Sequence, residues 1–157
     1  FLSLLMYQTL VPRNCPQCNV PAEQQMAKDS LKAFERYFQL DTGKMRCASD
    51  TGCDLCHIPG IDHADMKHIG VKGVKVSAEV IPVTNELLAF LLKKEDMQAR
   101  DFWRSQRRSQ YDEEDMVGKE AWGHALFEVS RGVLDPYHFE LAFGPPQLLA
   151  PAQVLSA

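Results

Sequence analysis

Asn14-Cys15-Pro-Gln-Cys18 and Gly52-Cys53-Asp-Leu-Cys56-His57 are the two stretches on which the reading of this chain turns. In each, two residues separate a pair of cysteines, so both sulfurs of a pair can reach one ion from a tight turn. Two such turns supply the four ligands of a tetrahedral site. Zinc suits that set, because a borderline-soft d¹⁰ ion asks only for tetrahedral packing of charge, and thiolates bring both charge and softness. The expected ligands are Cys15, Cys18, Cys53 and Cys56, with the segment between the pairs as an insertion longer than compact zinc ribbons carry. A more local set takes Cys47, Cys53 and Cys56 with His63 or His68. His57, adjacent to Cys56, is less able to swing onto the same ion.

The second stretch also matches CxxCH, the attachment pattern of c-type haem. On that alternative Cys53 and Cys56 form thioethers, His57 binds iron, and Met66, Met97 or Met116 offers a distal ligand. Cys15, Cys18 and Cys47 then have no role. Thioredoxin-like redox use of CxxC requires a strand-to-helix junction that neither pair has.

Working outward, 157 residues at 45% hydrophobic content can bury one ordinary core, so residues 1–157 read as a single domain. Five cysteines are an odd number for a secreted disulfide framework. Reduced, metal-bound cysteine in a reducing intracellular compartment fits better, and the haem alternative would imply the periplasm or another exported space. The net charge of −4 excludes a global attraction to nucleic acid or anionic membrane and leaves only a local basic face. The apolar start, Phe1 to Met6, is too short to span a bilayer and reads as a possible signal or anchor remnant.

Ala27, Leu31, Phe34 and Phe38 recur at helical spacing and predict a helix from Pro21 to about Leu40, within a helical extension over residues 1–43. Cys47 to Gly60 lacks any apolar period and reads as a knuckle. Val74, Val76, Ala78 and Val80 alternate with polar residues, which predicts a strand within His68 to Val83 with a bulge near Gly70 and Gly73. Thr84 or Asn85 caps a second helix. An exposed acidic loop is expected from Tyr111 to Gly118. Ala125 to Arg131 and Tyr137 to Phe143 alternate and predict a closing hairpin, so residues 44–146 form a knuckle plus a β-rich core and 147–157 a tail.

Cations and aromatics mix between Lys93 and Tyr111. Lys72, Lys75, Arg100, Arg104, Arg107 and Arg108 would track phosphates, and Trp103 and Tyr111 would stack on bases, a combination suited to single-stranded nucleic acid. No enzyme constellation stands out: there is no Gly-rich phosphate loop, no calcium-loop spacing, and no nucleophile beside His124 or His138.

The run Cys47-x5-Cys53-x2-Cys56, a valine-rich strand, a short helix and a closing hairpin resembles the zinc-containing OB-fold single-stranded DNA-binding proteins of tailed phages, over roughly Lys44 to Pro146. The resemblance implies a zinc knuckle set into a β-barrel that cradles the strand. The family's upstream histidine ligand has no counterpart before Cys47, so Cys15 or Cys18 takes its place on this reading. The expectation is therefore an α+β protein with a small curved β-sheet or OB-like barrel, a zinc knuckle and two or three helices. It is non-enzymatic, holds Zn²⁺ (alternatively haem c), and binds single-stranded nucleic acid. A further alternative is a zinc-stapled subunit of a large assembly that meets protein partners through apolar ends, Phe1 to Val11 and Leu148 to Leu155.

Overall fold

The computed structural model describes residues 2–66 and 69–150, without the side chain of His63. Its framework is a long antiparallel ribbon of β1 (Leu4–Asn14) and β4 (Val71–Pro82). A two-residue pair, β2 (Val20–Pro21) with β3 (Arg46–Cys47), lies between them in sequence. The helices are α1 (Lys28–Phe38), α2 (Asn85–Leu92), α3 (Asp96–Ser105), α4 (Ala121–Ser130), α5 (Pro136–Phe143) and α6 (Pro146–Leu149). The fold is mixed α+β, and among the described residues its sheets do not close into a barrel.

The apolar start is thus strand β1, whose partner is the valine-rich segment. Pro12 faces Val74 and Asn14 faces Val71, so two residues of β4 oppose Arg13 alone. Gly73 absorbs this bulge at φ +77°, a left-handed conformation that costs a glycine little. The expected helix from Pro21 to Leu40 is shorter. A 3-10 turn holds Ala22–Gln24, the helix starts at Lys28, and Gln39 ends it in the left-handed region. Thr84 caps α2, its Oγ1 accepting from the Leu87 N–H at 3.3 Å.

The predicted closing hairpin is instead the helix pair α4 and α5. Ala125, Phe127 and Val129 do alternate, but Ala125, Leu126 and Val129 are fully buried and Trp122 nearly so, a stripe at helical spacing that outweighs the alternation. Asp135 starts α5 by accepting the Tyr137 N–H at 2.8 Å, and Pro136 occupies the first turn, where its missing N–H costs nothing. The element order that carried the resemblance to phage proteins therefore ends in helices.

The core lies between α1, α4 and α5. Phe34 and Phe139 meet edge-on at 5.7 Å, and Phe38, Tyr111 and Trp122 form a triangle with centroids 5.1 to 5.6 Å apart. Helix α4 backs the ribbon: Ser77 Oγ donates to the Ala121 carbonyl at 2.6 Å, and Lys75 pairs with the buried Glu128 at 2.9 Å. The other carboxylate oxygen of Asp135 accepts the Ala48 N–H at 2.7 Å, which ties α5 to the knuckle. Replacing Asp135 with Ala removes a helix cap and this tie together. It is expected to lower unfolding free energy by about 2 kcal/mol in urea titrations, from the usual worth of a cap and a charged hydrogen bond.

Candidate metal centre

Both cysteine turns are held by their own backbone. After β1 the Asn19 N–H and its side-chain amide donate to the Cys15 carbonyl at 3.2 and 2.9 Å. Around the second pair the N–H groups of Cys56 and His57 donate to the Cys53 carbonyl at 3.1 and 2.9 Å, and the Cys53 N–H donates to Cys56 Sγ at 3.2 Å. The approach to it is ordered by Ser49, whose hydroxyl accepts from the N–H groups of Thr51 and Gly52 at 3.2 Å each.

The ribbon brings the turns together. The Cys15 N–H donates to the Gly70 carbonyl at 2.7 Å, at the entry to β4. Gly70 sits at φ +73° against Ser49, and a Cβ there would collide with the Ser49 backbone N and O. The neighbouring Asn14 is buried, and its side-chain amide donates to the carbonyls of Arg46 and Gly132 at 2.9 and 3.1 Å. The end of β1 is thereby tied at once to β3, to the α4–α5 turn and to β4.

Cys15, Cys18, Cys53 and Cys56 place their sulfurs within 4.8 Å of one another. Cys15 and Cys53 are 3.7 Å apart, Cys18 and Cys56 3.8 Å, and Cys53 and Cys56 3.9 Å. A zinc–sulfur bond of ~2.3 Å in tetrahedral geometry requires sulfur–sulfur edges of about 3.8 Å. These spacings are far too long for disulfides, and all four cysteines are unbridged. The four residues can hold a metal ion.

The shared surroundings move two of these thiols in opposite directions. Cys53 is lowered to about 7, chiefly by backbone hydrogen bonding from Cys56, while burial opposes the shift. Cys18 is driven upward, first by burial and then by hydrogen bonds among the sulfurs. Four thiolates this close repel one another, and a divalent cation relieves that repulsion.

Cys47 lies outside the cluster. It is buried in β3 and is not among the four cysteines whose sulfurs converge, and burial, followed by the charge of Asp135, pushes its thiol up to about 12, which makes it a poor nucleophile at neutral pH. His68 lies outside the described residues, as does the side chain of His63. The expected tetrad was legible from its spacing. Spacing does not mark Asn14 and Asp135, which tie the cluster's surroundings to the rest of the fold; the signal in the sequence for the second is the helix-start dipeptide Asp135-Pro136.

The basic and aromatic residues are placed differently from a stacking groove. Trp103 and Tyr111 are 7% and 5% exposed and belong to the interior. Arg104 pairs with Glu120, Arg108 with Asp115 at 2.8 Å, Arg100 with Asp101 at 3.3 Å, and Arg107 lies over the Tyr111 ring at 4.4 Å. Lys75 is engaged with Glu128, and Lys72 is exposed at the knuckle end of the ribbon. Among the described residues no helix is long and apolar enough to cross a membrane. No protein-family model and no curated protein matches the chain.

Elemental analysis of cysteine variants checks the assignment. Cys53→Ser is expected to lose bound metal and to lower the melting temperature, whereas Cys47→Ser retains about one ion per chain, the stoichiometry of a four-thiolate site.

Proposed function

We propose that this chain is a zinc-stapled structural subunit of a larger assembly, in which one Zn²⁺ on Cys15, Cys18, Cys53 and Cys56 fixes the β1–β4 ribbon and the ribbon meets protein partners. The cluster of four sulfurs, all within 4.8 Å of one another and with three of the six separations at 3.7 to 3.9 Å, carries the metal half of this reading. Four thiolates fill the coordination sphere and leave no open position for substrate, so the ion contributes folding energy and not chemistry.

The ribbon carries the other half. Residues paired directly across an antiparallel ladder share a face, so Leu4, Met6, Leu10, Val74, Val76 and Val80 lie together on one side, each 43 to 61% exposed. A contiguous uncharged apolar face of this length is characteristic of a contact surface. The apolar start of the chain enters this reading as β1. At the other apolar end Leu148 is exposed on α6, and residues 151–157 lie outside the described residues.

Two other readings meet less support. A porphyrin joined to Cys53 and Cys56 would have to enter where Cys15 and Cys18 already stand within 4.8 Å of the same sulfurs. Single-stranded nucleic acid is favoured by Lys72 beside the knuckle, but the rings meant for stacking lie in the core and most of the arginines are already paired. On that reading only phosphate contacts remain, and binding would be weak, independent of sequence and steeply salt-dependent.

Metal analysis with an absorption spectrum tests the proposal. The expected result is about one zinc per chain, no Soret band, and loss of cooperative unfolding on chelation, as for structural zinc sites. Iron with a Soret band would overturn it in favour of haem. Fluorescence anisotropy with a labelled single-stranded oligonucleotide is expected to stay flat at low salt, and strong binding that weakens with salt would favour the nucleic-acid reading instead.

A further inference from the structure

The ladder's hydrogen-bond phase shows which backbone groups of β1 are unused. Ala78 donates its N–H sideways to His124 Nδ1 at 3.1 Å, so it does not bond Gln8, its partner across the ribbon. Val83 donates to the Ser3 carbonyl at 3.1 Å, and Pro82, which has no N–H, faces Leu4. In an antiparallel pair bonded and non-bonded partners alternate, so odd-numbered residues of β1 bond to β4, and Leu4, Met6, Gln8 and Leu10 turn their N–H and C=O groups away from it. The outer edge of β4 is covered by α4 at His124. The outer edge of β1 over residues 4–10 has no strand paired to it among the described residues. Beyond it Pro12 removes a donor, and Arg13 bridges to Leu134.

We infer that this edge pairs with the same edge of a second copy of the chain, antiparallel about a two-fold axis through Tyr7. Built on the zinc-stapled subunit reading above, the inference names its partner. Three observations select a second copy. First, Leu4-Leu-Met-Tyr-Gln-Thr-Leu10 carries no charge, so reversed against itself it meets no like charge, although the chain as a whole is acidic at −4. Second, the segment fits its own reverse without a proline or a charge in the way: Leu4 meets Leu10 of the other copy and Met6 meets Gln8, each pair on the bonded phase. Each such pair exchanges two hydrogen bonds, giving about eight across the interface. Third, Tyr7 is 59% exposed although it points to the face that α4 and α5 cover farther along the ribbon. The two-fold places it against its own copy, a favourable cross-strand aromatic pair.

The product is a four-stranded antiparallel sheet, β4–β1–β1–β4, closed by symmetry so that it ends after two chains. Natural edge strands are normally guarded by charge, proline or a bulge. In β1 those devices begin only at Pro12, which bounds the pairing segment.

Light scattering on the zinc-loaded chain tests this. The expected mass is twice the 17.7 kDa of one chain. Tyr7→Lys and Tyr7→Glu, each alone, oppose like charges at the axis and are expected to raise the dimer dissociation constant by roughly tenfold. Mixing the two variants restores the dimer. Gln8→Pro removes an outward N–H without touching the β4 ladder and is expected to weaken dimerisation while zinc content and circular dichroism stay as in the parent. A single-chain mass with zinc bound overturns the edge pairing and leaves the zinc reading standing. A dimer indifferent to these variants, charge variants that fail to rescue each other, or open-ended larger species also overturn it. Absence of zinc from a chain that still dimerises through Tyr7 overturns the zinc reading alone.

Discussion

The convergence of four sulfurs at one point organises the rest of this molecule. Cys15 follows directly on the last residue of β1, and its N–H reaches Gly70 at the start of β4, so the site stands at the base of the ribbon. Cys53 and Cys56 bring the knuckle to the same place. An ion there joins the end of one strand to the segment that leads into the other, and through Asn14 and Asp135 the joint extends to β3 and to the helix layer.

That placement answers a problem of chain entropy. The two strands of the ribbon are separated by β2, α1, β3 and the knuckle, and closing so long a segment to form an antiparallel ladder is entropically costly and slow. An ion held by the four cysteines would divide the closure in two. Each cysteine pair forms a local turn, and a single ion would then fix the strand bases close to their final register. The β4 bulge at Gly73 adjusts the remaining mismatch beside the site. Occupation of the site would therefore couple folding to metal binding through geometry.

Charge in this chain is largely spent internally. Lys75 meets Glu128 under the ribbon, Arg104 meets Glu120 beside α4, and the buried Lys119 donates to the Glu113 carbonyl at 2.7 Å. Burial raises the Glu120 carboxyl, while Arg104 and the neighbouring arginines act in the opposite direction. A basic tract that reads in one dimension as a phosphate path is thus, in three, a set of partners for buried or half-buried acids. What stays uncharged is the outward face of the ribbon, and the surface character of the molecule is set there.

The cysteine pairs, the α1 stripe of Leu31, Phe34 and Phe38, the valine strand and the Thr84 cap were readable from residue order, because each is a local pattern whose period or spacing has one physical cause. The α4 and α5 segments were not, because an alternating run and a helical stripe coexist in the same residues, and only packing against Phe34 and Phe38 decides which set is buried. Nor could order alone show that the apolar start is a strand. β1 is apolar on both faces and has no period, and it becomes one half of a ribbon only because β4 supplies the partner edge. Spacing decided what can bind a metal; the tertiary fold decided that Cys15 and Cys18 face Cys53 and Cys56 and that Cys47 does not, since the distance between separate turns is a property of the closed chain.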